Sequence, residues 1–239
     1  MNIRIKDLHK SFGTKEIIKG INMNIKSGDI VCLLGPSGAG KTTLIRLLSG
    51  ALNETSGEIV IGREKVPSMN IIKQMGFMPQ NDAVYDDITG YENMLFFGGL
   101  YGLKGDALKK RIEEVLTILD LYDDRNKIVS YYSGGMKKRL SLAITLLIRP
   151  KLMLLDEPTV GLDPVLRKTI WQQFRKLKKE GVTIIVSTHV MDEASKCDKV
   201  ALIYEGKLIA YDNPRTLINK TPNKDIEEIF FMVEAGELC

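Results

Sequence analysis

IVCLLGPSGAGKTTLIRLL, residues 30–48, is the stretch on which the fold turns. Ile30–Leu34 is a continuous apolar run, as expected of a strand covered on both faces. Leu44–Leu48 reads as helix. Between them Gly35-Pro36-Ser37-Gly38-Ala39-Gly40-Lys41-Thr42 fits the pattern G-x-x-x-x-G-K-[ST] in the strand–loop–helix setting that gives it meaning. Gly38 and Gly40 let successive N–H groups turn inward around phosphate oxygens, and the helix that follows points its partial positive end at the same anion. Lys41 supplies a mobile charge for the β and γ phosphates, and Thr42 offers a hydroxyl to Mg²⁺. We count Pro36, Ser37, Ala39 and Thr43 with this loop as nucleotide-contacting positions.

Outward from the loop, the pattern alternates. Ile3 and Ile5, then Ile21, Met23 and Ile25, follow the period of two of an antiparallel sheet with one exposed face, and GEIVIG at 57–62 reads as a further strand. Residues 82–149 change towards helix. Thr89 and Glu92 form a capping-box pattern, Asp106 can cap a second helix carrying Ile112, Val115, Leu116 and Leu119, and a third follows Ser133. From 151 strands return, Leu152–Leu155 and Thr183–Val186. The helix between them has Asp163 as N-cap, Pro164 at its first position, Gly181 past its end, and a core stripe of Leu166, Ile170, Phe174 and Leu177. The expected fold is α/β: a P-loop core with a mixed sheet, an antiparallel β subdomain and an inserted helical subdomain. Residues 1–81 and 150–212 form the catalytic core, 82–149 the helical part and 213–239 an appendage, where Ile226, Ile229, Phe230 and Val233 suggest an amphipathic helix.

Three further places carry chemistry. Asp156-Glu157 closes an apolar strand, where carboxylates face the ligand crevice of an open α/β sheet. One can hold Mg²⁺, directly or through water, and its neighbour can orient a water for attack on the γ-phosphorus. Ser133-Gly134-Gly135 opens a helix that Leu140, Ala143, Ile144 and Leu147 pack in place, leaving N–H groups open to a second anion. The adjacent Lys137, Lys138 and Arg139 read as a solvated face. His189 ends the strand begun at Thr183, where it suits a γ-phosphate or water contact.

Composition narrows the class. With 34 basic against 30 acidic residues, the net charge of +4 gives no basic face, so no nucleic-acid partner is expected. No apolar run approaches the roughly 18 residues of a membrane span, and the N-terminus lacks the apolar stretch of a signal peptide. Three cysteines, Cys32, Cys197 and Cys239, show no paired spacing, which suggests a reducing compartment and a core role for Cys32.

Together these residues resemble the ATP-binding cassette (ABC) ATPases over about residues 2–212. Gly35–Thr42 resembles Walker A, Leu152–Asp156 with Glu157 resembles Walker B and its catalytic base, and Gln80 resembles the Q-loop glutamine that senses Mg²⁺ and the attacking water. Tyr132-Ser-Gly-Gly-Met136 resembles the signature motif, Asp163 the D-loop and His189 the switch histidine. Phe12 stands where the family places an aromatic that stacks on adenine, with a packing role as the alternative. The resemblance implies ATP and Mg²⁺ as ligands, and two cassettes meeting head to tail, as a homodimer or with a related cassette. It also implies a separate integral-membrane permease and a place on the cytoplasmic face of the cell membrane. Met136 departs from the usual glutamine, and the YSGGM run is similar to cassettes of drug, lipid and polysaccharide exporters, favouring export. The insertion after Gln80, with Tyr85, Tyr91, Phe96 and Phe97, is the expected dock, unless those rings only pack the subdomain. Two other functions share the phosphate loop. A soluble ABC ATPase of repair or translation usually carries tandem cassettes or long coiled-coil insertions, and a kinase would need an acceptor site and have no use for Ser133–Gly135.

Overall fold

The computed structural model describes residues 1–81, 83–223 and 225–235. In chain order the elements are β1 (Ile3–Phe12), β2 (Lys15–Ile25), β3 (Ile30–Leu34), α1 (Lys41–Ser49), β4 (Ser56–Ile61), β5 (Glu64–Lys65), α2 (Met69–Ile72) and β6 (Met75–Met78). Then come α3 (Gly90–Leu100), α4 (Gly105–Ile118), α5 (Gly134–Leu147), β7 (Leu152–Asp156), α6 (Pro164–Lys179) and β8 (Thr183–Thr188). The chain closes with α7 (Met191–Ala194), β9 (Lys199–Tyr204), β10 (Lys207–Asp212), α8 (Pro214–Ile218) and α9 (Glu228–Glu234).

Two sheets organise the molecule, in the orders β2-β1-β4-β5 and β10-β9-β3-β8-β7-β6. In the larger sheet β9, β3, β8, β7 and β6 run parallel, and β10 returns antiparallel beside β9. Every residue of β3, β7 and β8 is buried, which is why these strands are continuous apolar runs rather than alternating ones. Their side chains divide by parity. Val31 and Leu33 face a core shared with α1 and the antiparallel sheet, including Leu44, Ile45, Ile3 and Ile5. Ile30, Cys32 and Leu34 face Ile170, Trp171 and Phe174 of α6 and the helices of the insertion. The antiparallel sheet keeps one wet face, with exposed Arg4 and Lys6 alternating with buried Ile3 and Ile5.

Between β6 and β7 lies the helical insertion. Its first helix begins with the expected capping box: Thr89 Oγ1 accepts from the Glu92 N–H at 3.1 Å, and Glu92 Oε2 accepts from the Thr89 N–H at 2.8 Å. The second begins earlier than the sequence suggests. Its N-cap is Lys104, and Gly105 enters the helix at a φ of +63°, so Asp106 lies inside the first turn. There its charge meets the helix's positive end instead of capping it. Ile112, Val115, Leu116 and Leu119 are all buried, in one core with Leu140, Ala143 and Leu147 of α5. Ile226 and Ile229 of the tail are buried, and the Phe230 ring lies 6.4 Å from that of Tyr204. The Val233 side chain and Cys239 lie outside the described residues. Among the described residues no helix is long and apolar enough to cross a membrane.

Candidate active site

The C-terminal ends of β3, β7 and β8 meet in one place, and the residues that follow them build the site. Beyond β3 the chain turns tightly against β9: a Cβ on Gly35 would come within 2.1 Å of the Ile203 carbonyl oxygen, so no other residue fits. Gly38 and Gly40 have φ of +81° and +107°, backbone that L side chains rarely adopt. A Cβ on Gly40 would also meet Ile18 at 2.9 Å. Gly40 is the N-cap of α1, and with no side chain to cap it, the first-turn N–H groups stay directed at the loop. Lys41 is buried and folds over the loop, donating from Nζ to the carbonyls of Gly35 at 2.7 Å and Pro36 at 2.9 Å. Burial pulls its ammonium below the usual lysine range, while Glu157 and Asp156 nearby oppose that shift. Thr42 and Thr43 are half-buried in the first turn.

Beyond β7 come the two carboxylates, in different settings. Asp156 is buried, and its Oδ1 accepts a hydrogen bond from Ser187 Oγ on β8. Glu157 leaves the strand at a φ of +53°, a conformation that costs a non-glycine residue about 1–2 kcal/mol. It is held there by its own N–H, which donates to the Ser187 carbonyl at 3.1 Å and to Ser187 Oγ at 3.0 Å. Thus oriented, Glu157 Oε1 lies 3.0 Å from Nδ1 of His189, and Oε2 accepts from Gln80 Nε2 at 3.4 Å. Three residues far apart in the chain, Gln80, Glu157 and His189, therefore form one polar cluster beside Asp156.

Ser187 and Glu193 escape a reading of the sequence. Ser187 reads as the polar end of an apolar strand, yet it fixes both carboxylates. Glu193 is buried on α7, where Oε1 accepts from Thr159 Oγ1 and, at 3.4 Å, from Trp171 Nε1. It thereby ties the loop after Glu157 to the helix after His189. The available signal was weak: polar residues beside a strand end, whose partners lie in other elements.

Ser133 caps α5, accepting from the Met136 N–H at 3.2 Å. Around it the surface is open. A Cβ on Gly134 would touch nothing within 4 Å, and one on Gly135 would approach only Leu162 at 3.8 Å and Ser133 Oγ at 4.0 Å. Tyr132 is buried and anchors the turn by donating from its hydroxyl to the Asp124 carbonyl at 2.9 Å. Lys137, Lys138 and Arg139 do not form a solvated face. Lys137 Nζ reaches Asp86 Oδ1 at 2.7 Å, and Lys138 Nζ donates to the Val160 carbonyl at 3.1 Å. Arg139 donates to the carbonyls of Leu119 and Asp120 at 3.3 and 2.8 Å. The long side chains thereby staple α5 to its surroundings, Lys137 through a carboxylate and the other two through carbonyl acceptors.

No hydrogen bond joins Ser133–Gly135 to the phosphate loop, Gln80, Glu157 or His189 among the described residues. Asp163 is the N-cap of α6, with Oδ1 accepting from the Leu166 N–H at 2.9 Å. Phe12, at the end of β1, is 49% exposed with Lys10 Nζ 5.0 Å from its ring centroid, so it lies at the surface rather than packing in the core.

A phosphate loop on a parallel sheet, with a carboxylate pair at the neighbouring strand end and an inserted helical bundle, defines a P-loop ATPase cassette. The profile of the ABC transporter family matches residues 18–160, and the chain belongs to that family. It is 36% identical over 224 residues to the linearmycin resistance ATP-binding protein LnrL of Bacillus subtilis (strain 168), covering 91% of this chain and 71% of that protein. It is 37% identical over 231 residues to the Nod factor export ATP-binding protein I of Burkholderia lata, covering 95% and 76%. A match at 38% to ABC transporter G family member 20 of Dictyostelium discoideum covers 95% of this chain but only 32% of that longer protein. Among solved structures, an ATP-binding cassette dimer in a post-hydrolysis state with ADP and Pi superposes with a TM-score of 0.81 at 27% identity, covering 88% of this chain and 98% of that one. The chain is accordingly an ATP-binding, ATP-hydrolysing cassette of the transporter type, and the relatives lend no support to the kinase or repair and translation alternatives.

Proposed function

We propose that Glu157 is the catalytic base of ATP hydrolysis and that two cassettes complete each site. The observation that carries this reading is the held position of Glu157 between His189 and Gln80, one residue past Asp156. ATP would lie on Gly35–Thr43 with its phosphates among the loop N–H groups and Lys41, and its adenine against Phe12. Glu157 takes the proton of a water as that water's oxygen bonds to the γ-phosphorus and the bridging oxygen leaves with ADP. His189 orients Glu157 and the γ-phosphate, and Gln80 reports on the same water.

Thr42, Gln80 and Asp156 offer only hard oxygen donors, the set that suits Mg²⁺. Among the described residues no three His, Cys, Asp or Glu side chains converge on a possible metal site. Bound there, Mg²⁺ would neutralise charge on the phosphate oxygens.

The open surface at Ser133–Gly135 supports a second role, contact with the γ-phosphate held by another copy, with Asp163 near that boundary. Losing the γ-phosphate would then remove the anion that bridges the two copies. The clustered rings of Tyr85, Phe96 and Phe97, with centroids 5.0–5.9 Å apart, support a dock for a membrane permease. Tyr85 and Phe96 are 50% and 43% exposed, which supports a role beyond packing the subdomain, whereas Tyr91 packs against the core. Relatives named for resistance and export support export, from the cytoplasmic face. The Glu157→Gln variant tests the base: it should bind ATP while turnover falls about 10²–10⁴-fold, and turnover at the parent rate would refute the assignment.

A further inference from the structure

A cavity of about 810 Å³ opens where α4, the α5–β7 turn and the C-terminal end of α6 meet. Ser27, Lys151 and Val182 in its wall precede β3, β7 and β8, whereas Gly35, Glu157 and His189 follow those strands. The cavity and the nucleotide site are thus at opposite ends of the sheet, about 17–20 Å apart by the length of such strands. Its volume falls in the range of about 300–1,000 Å³ usual for small-molecule sites.

The wall has two chemistries. Val115 and Ile118 of α4, Leu146 of α5, and Leu177 and Val182 at the end of α6 make an apolar floor. The rim carries Arg111, Arg149, Lys151 and Lys176 against Glu114 and Glu180, a cationic excess. Arg111 is already committed, donating to the carbonyls of Leu146 at 2.6 Å and Leu147 at 3.3 Å and pairing with Glu114 at 2.9 Å. Arg149 is not: its side chain is 77% exposed and reaches Glu114 only at 3.8 Å. The Lys151 and Lys176 side chains make no hydrogen bond or ion pair among the described residues. Arg149 also sits at a φ of +50° just past the end of α5, where glycine is the easier residue. Cations near the ends of α5 and α6 complement the dipoles of those helices, but that explains neither Lys151, which precedes a strand, nor the apolar floor.

We propose that this cavity binds a small anionic amphiphile, its carboxylate or phosphate head at Arg149, Lys151 and Lys176 and its apolar body over Ile118, Leu146 and Leu177. Such a ligand touches the helical insertion and the core sheet together, so it fixes one relative to the other from the side remote from the nucleotide. The proposal does not depend on the roles given to Glu157 or Ser133.

Calorimetric titration of the full chain with dodecanoate, dodecyl phosphate and dodecanol, all below micelle formation, tests it. Both anions should bind at one saturable site, with dodecanol at least about tenfold weaker. Lys151→Glu combined with Lys176→Glu should weaken dodecanoate about tenfold, the sum of two rim ion pairs of ordinary strength, without changing ATP affinity. Arg149→Gly removes a cation while relieving the backbone, so it should weaken binding severalfold in a chain that folds at least as well. Dodecanol binding as tightly as dodecanoate, affinity unchanged in both variants, or no saturable binding would overturn the proposal; the cations would then serve the helix ends alone.

Discussion

The loop at Glu157 and the loop at Ser133 are both polar segments at the ends of regular elements, yet they are built in opposite ways. Glu157 is 16% exposed, strained in backbone, and gripped by Ser187, His189 and Gln80 from other parts of the chain. Ser133 is exposed, uses its hydroxyl on its own helix, and is flanked by glycines that face open space. The first is an arrangement complete within one chain. The second is rigidly mounted, through Tyr132, Lys137, Lys138 and Arg139, but points at nothing in its own copy. Preorganised groups without an internal target support the role proposed for this surface, contact with a nucleotide held by another copy.

Breaking the first region should have the largest effect. Glu157→Gln removes the proposed base and leaves shape intact, so single-turnover assays should show hydrolysis lower by about 10²–10⁴ with nucleotide affinity retained. Lys41→Ala should act on binding, lowering ATP affinity about tenfold or more through the loss of charge-assisted hydrogen bonds. A fluorescent-nucleotide titration separates the two: a Lys41→Ala chain with parental affinity would place the phosphates elsewhere. Thr89→Ala sharpens the contrast at the level of scaffold. It removes the cap of α3 and should cost about 1 kcal/mol of unfolding free energy, read by urea titration, with little change in ATP affinity.

The smallest effect concerns pH and lies away from both loops. His9 donates from Nδ1 to Glu16 at 2.7 Å and from Nε2 to Asp7 at 3.2 Å, and the Glu16 contact raises its pKa. A raised folded-state pKa gives stability that is fully present below the unfolded value of about 6.5 and is lost as pH rises through the folded value. Urea midpoints should therefore decline slightly as pH rises above about 6.5, and His9→Gln should flatten that decline without altering turnover at either end.

How much of this was legible in the sequence depended on whether the determinant was local. Gly35–Thr42, the capping box at Thr89 and the caps at Ser133 and Asp163 are patterns of a few consecutive residues, and each stands as expected. What local patterns did not show was long-range or depended on register. Asp106 missed the cap because Gly105 starts the helix first. Gly35 is required by a carbonyl of Ile203 on another strand, and Ser187 acts on carboxylates of a neighbouring strand. Lys137–Arg139 looked solvated because nothing nearby in sequence shows the carbonyls they reach.

The central claim, that the Ser133 loop serves a nucleotide held by another copy, is met most directly by sedimentation of Glu157→Gln chains with ATP. The Glu157→Gln chain should sediment as a dimer only when ATP is present. Adding Ser133→Arg should leave ATP bound to a monomer. A doubly substituted chain that still dimerises with ATP as readily as Glu157→Gln alone would contradict it.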